Sequence, residues 1–164
     1  SGATVHMSYY TPSSGNASPY TDLGIKISPE MVEGLEVGAA WGTSEATAGT
    51  EFDESTFYIK YAYGPVTVGY QESEIDSSST SNDDDFESMG VTYQITDDLT
   101  VGYHASEYKA GDAAETQENS NISAAYTMGG MTLSVAIAEE ENRGGSTAAA
   151  NDVEGYAVNL AFAF

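Results

Sequence analysis

The sequence predicts an all-β protein, an antiparallel transmembrane β-barrel contributing ten strands from this chain. Three observations carry that expectation. Stretches of two-residue alternation recur from one end to the other, the connections between them switch between long and short, and charges in the apolar phase gather at one end of each stretch. A period of two sends successive side chains to opposite faces of a strand, so each stretch is two-faced. No segment of comparable length keeps a 3.6-residue apolar stripe.

The expected strands are residues 2–10, 20–28, 34–44, 55–64, 65–73, 86–96, 98–108, 119–128, 131–140 and 153–164. A short helical turn fits near Pro29 to Glu33, since proline is tolerated where a helix begins. The long connections are 11–19, 45–54, 74–85, 109–118 and 141–152; the short ones are 29–33, Gly64-Pro65, Asp97-Asp98 and Gly129-Gly130. Glycine supplies the positive φ of a tight hairpin, and Pro65 can begin a turn where its missing N–H does no harm. A β-sandwich has no reason to place its long loops at one end. An outer-membrane barrel does, with short periplasmic turns, long outer loops and both termini on the periplasmic side.

The apolar phase reads Leu35, Val37, Ala39, Trp41; Phe57, Ile59, Tyr61, Tyr63; Val66, Val68, Tyr70; Leu99, Val101, Tyr103, Ala105; and Met131, Leu133, Val135, Ile137. Charges in this phase are Glu45, Glu72, Glu87, Glu107, Glu118, Glu139 and Glu154, each at the long-connection end of its strand. A lipid-facing Lys or Arg at the bilayer midplane costs about 2–4 kcal/mol, Asp or Glu less, and the cost fades near the interface. The opposite phase carries Gly, Ala, Ser and Thr, with His6, Lys26, Glu36, Lys60 and His104 at mid-strand. A dry barrel core would need bulky apolar residues there, so this face is expected to meet water. Aromatic residues fall in two groups: Tyr9, Trp41, Phe57, Tyr70 and Tyr156 near the long connections, and Tyr63, Tyr93, Tyr126, Phe162 and Phe164 near the short ones. Two such belts belong at the two membrane interfaces.

Composition removes other classes. The 164 residues hold 4 basic and 26 acidic side chains, a formal charge of −22. Phosphate binding needs a basic face, so nucleic acid is excluded as a natural partner. The absence of cysteine rules out a disulfide scaffold or thiolate metal site. A mean hydropathy of −0.31 and the lack of 18 consecutive apolar residues argue against a membrane helix, and no signal-peptide pattern opens the chain. Neither bears on a barrel, in which only alternate residues face lipid.

The closing stretch, "EGYAVNLAFAF", places Tyr156, Val158, Leu160, Phe162 and Phe164 at alternate positions. It resembles the C-terminal assembly signal of bacterial outer-membrane proteins, which implies recognition by the barrel-assembly machinery. Segments such as "GVTYQITDDLTVGYH" (90–104) and "AAYTMGGMTLSVAIAEEE" (124–141) resemble the strand-turn-strand repeats of Gram-negative general diffusion porins of the alphaproteobacterial type. The likeness runs along essentially the whole chain but corresponds to the C-terminal portion of such a porin. It implies a 16-stranded homotrimeric barrel in the outer membrane of a Gram-negative bacterium, of which these would be the last ten strands. Lipid and lipopolysaccharide are the surroundings it implies. The family narrows its pore with a long inward-folded loop that no segment here matches, and sets basic residues on the opposite wall. Lys26 and Lys60, with His6 and His104, are the candidates for that wall, and Glu36 lies in phase with the two lysines.

The function expected is passive diffusion of small hydrophilic solutes and ions through a water-filled barrel, selected by size and by the field of wall charges. Glu36 either forms a charge ladder with the lysines or only neutralises them, and the histidines are candidate pH-dependent gates. The alternative is a self-contained ten-stranded outer-membrane barrel acting through its loops as an adhesin or surface-loop binding protein. Adhesive loops want aromatic residues or Arg, whereas these are rich in Ser, Thr, Ala, Asp and Glu. No catalytic constellation is expected: the GxSxG elbow and a Ser-His-Asp arrangement are absent from the sequence. No resident cofactor is expected. The acidic clusters Glu72, Glu74, Asp76, Asp83–Asp85–Glu87 and Glu139–Glu141 suit either a solvated surface or loop-bound Ca or Mg bridging to lipopolysaccharide, although "NDDD" (82–85) lacks the spacing of an EF-hand.

Overall fold

A computed structural model describes residues 2–11, 19–45, 50–78, 83–148 and 151–163. The ten strands are β1 (Gly2–Tyr10), β2 (Tyr20–Ser28), β3 (Leu35–Glu45), β4 (Glu51–Tyr63), β5 (Val66–Ser77), β6 (Asp84–Thr96), β7 (Leu99–Ala110), β8 (Gln117–Met128), β9 (Met131–Glu141) and β10 (Val153–Phe162). They form one antiparallel sheet in sequence order, each strand hydrogen-bonded to its neighbours in the chain. Among the described residues β1 pairs only with β2 and β10 only with β9, so the sheet has two free edges.

The register decides which side chains share a face. One row runs Val68, Val91, Tyr103, Ile122, Ile137, Tyr156 across β5 to β10 without a break. The row toward the turns runs Val66, Tyr93, Val101, Ala124, Val135, Val158. On the other half of the sheet Val5, Ile25, Ala39 and Phe57 pair in series. A one-residue slip within these rows would have scattered their residues over both faces; none occurs there.

Among the described residues nothing covers the apolar face. No hydrophobic side chain among the described residues is buried, and Val68, Leu133, Ile137 and Val158 are 42%, 40%, 65% and 64% exposed. A water-soluble monomer of 17.2 kDa has a surface of about 7,800 Å² by the usual scaling; this chain has 11,102 Å². The excess is the mark of a single layer whose apolar side needs a solvent other than water. A soluble sandwich, in which Val68, Val101 and Leu133 would meet in a core, is ruled out.

The turns form as their residues dictate. Gly64 and Gly129 take φ of +56° and +60° in the two-residue connections β4–β5 and β8–β9. The Asp97-Asp98 connection has no glycine. There the register shifts between Gln94 and Thr96, and Thr96 Oγ1 accepts hydrogen bonds from the backbone N–H groups of Asp98 (3.3 Å) and Leu99 (3.1 Å). Around Pro29 the chain forms two successive turns rather than a helix, Val32 N–H donating to Pro29 O and Leu35 N–H to Val32 O.

The long connections are shorter than the sequence suggests. The expected 45–54, 74–85 and 109–118 become 46–50, 78–83 and 111–116, because β4, β5, β6, β7 and β8 continue pairing beyond their apolar stretch. Backbone ladders do not depend on hydrophobicity, and where the extension begins the hydroxyls of Thr56 and Ser73 meet across the two strands with their oxygens 2.7 Å apart. The contrast in connection length is therefore weaker than expected, and the strands themselves project at that end.

Candidate functional site

The side of the sheet opposite the apolar face is built from small and hydrogen-bonding residues. Its rows include Lys60, Gly69, Gly90, His104, Asn121 and, one step toward the turns, Thr67, Thr92, Gly102, Ser123. All five expected pore-lining residues lie here: His6 opposite Gly24, Lys26 opposite Gly38, Glu36 opposite Lys60, and His104 opposite Gly90.

Three of them form one cluster. Glu36 lies between the two lysines, its carboxylate oxygens 3.6 Å from Lys26 Nζ and 3.5 Å from Lys60 Nζ, and it accepts a hydrogen bond from the Tyr58 hydroxyl at 3.1 Å. The cluster is partly exposed, the lysine side chains at 51% and 52% and Glu36 at 24%. Ion pairs this wet contribute about 0–1 kcal/mol to stability, so their consequence is electrical. Two cations and one anion leave a net charge of +1. His104 stands apart, its Nε2 3.1 Å from Ser88 Oγ and its Nδ1 3.5 Å from Asn121 Nδ2.

Tyr58 is held in place by a glycine. Its ring lies against Gly38 on the adjacent strand, where an added Cβ would collide with the Cε1 edge of the ring. Gly→Ala in a strand ordinarily stabilises by about 0.5–1 kcal/mol. At Gly38 the sign reverses: Gly38→Ala is expected to cost about 1–3 kcal/mol through overpacking. The urea midpoint of the membrane-extracted protein checks this, and Tyr58→Ala in the same chain restores most of the loss.

Charge divides the wet face into two sectors. Asp22, Lys26, Glu36, Glu54 and Lys60 lie on β2 to β4. From β5 to β10 the described residues of this face carry acids only at its outer end, Asp84 and Glu140, and below them only amides, hydroxyls, His104 and small side chains.

At the outer end the register joins glutamates that alternation already places in the apolar phase, and a second feature there escaped the pattern. Glu72, Glu87, Glu107, Glu118 and Glu141 face one another across β5 to β9 in a single row bordering the apolar band. The acids expected in loops are therefore largely strand residues, and successive ones point to opposite faces. Among the described residues no group of acids or histidines is arranged to hold a metal ion. Beyond this row the polarity of the faces reverses. Asp53, Glu74, Asp76 and Asp85 project from the side that is apolar lower down, while Tyr10, Tyr20, Phe52, Ile75, Phe86 and Tyr108 lie on the wet side. Tyr10 and Tyr20 stack with ring centroids 5.4 Å apart. The sequence signal was the jump of aromatics into the other phase at Phe52 and Phe86, legible only once the ladders are known to continue.

At the other end, Tyr156, Val158, Leu160 and Phe162 share the apolar face of β10 and are 87%, 64%, 53% and 61% exposed. Phe164 lies outside the described residues.

A sheet that is apolar and uncovered on one side, hydrated and charged on the other, and acid-rimmed at one end is the wall of a membrane channel. The chain belongs to the Gram-negative porins, whose family model matches residues 1–146. Its place is the outer membrane. No curated protein matches it in sequence. Among solved structures it is similar to the NanC porin in a rhombohedral crystal form, with a TM-score of 0.59 and 12% identity over 99% of this chain and 93% of that one. The KdgM porin in complex with disordered oligogalacturonate is similar at a TM-score of 0.54 and 8% identity, over 99% and 92%. These likenesses speak for the fold.

Proposed function

We propose that the chain forms part of a passive diffusion channel for small hydrophilic solutes and ions, with Lys26, Glu36, Lys60, His6 and His104 lining the pore. The observation that supports this most is the division of the two faces, kept in register across ten paired strands below the level at which their polarity reverses. Residues 1–164 act as one barrel domain, and the free edges of β1 and β10 are paired in the membrane, because unsatisfied backbone groups in hydrocarbon cost several kcal/mol each. The resemblance to general diffusion porins points to closure by six further strands in a trimer of 16-stranded barrels. It points also to recognition of the alternating Tyr156, Val158, Leu160 and Phe162 by the barrel-assembly machinery. The glutamate row bordering the apolar band fits the headgroup layer, where Ca or Mg would join it to lipopolysaccharide phosphates.

The wet wall favours general diffusion over capture of acidic sugars such as the oligogalacturonate of the KdgM complex, since Glu36 offsets one of the two mid-strand lysine charges and leaves a net charge of only +1. Reconstitution of the native protein in planar bilayers tests the reading. Stable conductance steps are expected, and their absence would contradict it. The intact mass of the native polypeptide tests closure: about twice the 17.2 kDa of this chain fits the 16-stranded barrel, and 17.2 kDa the self-contained one.

A further inference from the structure

The wet face of β3 carries Gly38 and Gly42, and each lies beneath a polar side chain of a neighbouring strand. Asp22, which accepts a 2.6 Å hydrogen bond from Ser8 Oγ, holds its Oδ1 2.8 Å from where a Gly42 Cβ would stand. The Tyr58 ring takes the corresponding space at Gly38, which is buried. Other glycines of this face seat nothing: a Cβ at Gly24, Gly69 or Gly90 would come no nearer than 3.6 Å to another atom. Glycine inside a strand weakens it and often marks a close approach. At Gly38 the fold gives up that stability to place one aromatic ring.

That ring is the stiff member of the charged cluster. Lys26 and Lys60 are half exposed on long flexible stems, and their ammonium groups stand 3.6 and 3.5 Å from Glu36, beyond tight charge-assisted hydrogen bonds. Tyrosine has few torsions to fix, and its hydroxyl makes the shortest contact to the carboxylate, 3.1 Å to Oε1, the oxygen that also faces Lys60. Tyr58 is opposite Gly38 while Glu36 is opposite Lys60, so the hydroxyl reaches along β3 toward the turns to meet it. The result is a graded wall. Glu36 is 24% exposed against 51% and 52% for the lysines, so the anion is held back and the cations stand in the water. An ion in the lumen senses that difference, because a charge acts less as distance grows and is screened over about 10 Å at 0.1 M salt.

We propose that Tyr58 is a positioning residue for the ion selectivity of the wall, its hydroxyl holding the Glu36 carboxylate against the sheet; the inference rests on the channel reading above. The test is the reversal potential of the reconstituted native protein across a salt gradient, compared with Tyr58→Phe, which keeps the ring against Gly38 and removes only the donor. Folded protein is expected in equal amount. The cation-to-anion permeability ratio is expected to rise about 1.5-fold at 0.1 M salt and less at 1 M, as the freed carboxylate moves toward the lumen, and open-channel current noise to increase. In a Glu36→Gln background the same substitution is expected to change neither quantity, which a merely structural role for Tyr58 would not produce. Unchanged ratio and noise with Glu36 present would overturn the proposal and leave the channel standing. An equal shift in both backgrounds would also overturn it, making the hydroxyl itself the group that ions sense. Absence of conductance steps in the unsubstituted protein would remove the channel reading and this inference with it.

Discussion

Val91→Arg is expected to prevent stable assembly in the membrane, while Thr92→Arg, one residue along, is expected to be tolerated. Val91 lies in the middle of the apolar row between Val68 and Tyr103, 38% exposed, with nothing but solvent beyond it. A lipid-facing arginine at that depth costs about 2–4 kcal/mol, which shifts the folding equilibrium by about 30- to 900-fold. Thr92 has the same depth and the opposite orientation, between Thr67 and Gly102 on the wet face. The guanidinium there reaches water, and the adjacent glycine leaves room for its stem. The fraction of folded, heat-modifiable protein recovered from membranes compares the two. Equal recovery would mean that Val91 does not face lipid.

Lys60→Glu is expected to move the channel toward cations without unfolding it. The change replaces a positive by a negative charge in direct register with Glu36. Seen from 7 Å through water, a unit charge alters the energy of a passing monovalent ion by about 0.6 kcal/mol, so a two-unit change gives about 1.2 kcal/mol before screening. With a Debye length of about 10 Å at 0.1 M salt, the cation-to-anion permeability ratio should rise about fivefold, and less at 1 M. Stability changes little, since Lys26 still reaches Glu36 and exposed pairs contribute about 0–1 kcal/mol. Reversal potentials across a salt gradient measure the shift. An unchanged ratio would place Lys60 away from the conduction path.

How far the sequence carried this account depended on what enforces each feature. The strand order and the apolar face were legible because hydrocarbon penalises every misplaced side chain, and that penalty writes a period of two into Leu35–Trp41 or Leu99–Ala105. The outer ends of β4 to β8 were not, because water tolerates either phase. Glu51, Asp76 and Asp84 read as loop and are paired strand. The lysine cluster was legible as a shared phase on three strands; whether Glu36 met both lysines depended on register, which only the paired backbone supplies. Gly38 against Tyr58 and the hydroxyl that Tyr58 turns toward Glu36 were hidden for the same reason. Each is a relation across strands, and a lone glycine in an alternating stretch announces neither.

The division of faces is tested most directly on β7, because these 164 residues contain no cysteine and single replacements among them add the one thiol they carry. Cysteines placed singly from Thr100 to Ser106 in membrane-assembled protein should react with a water-soluble, bilayer-impermeant thiol reagent in strict alternation. Thr100, Gly102 and His104 are predicted to label, with Ser106, buried on the same face, labelling more slowly, and Val101, Tyr103 and Ala105 to be protected and to react instead with a lipid-soluble probe. Uniform labelling, or the reverse alternation, would contradict the claim that one side of this sheet meets lipid and the other meets water.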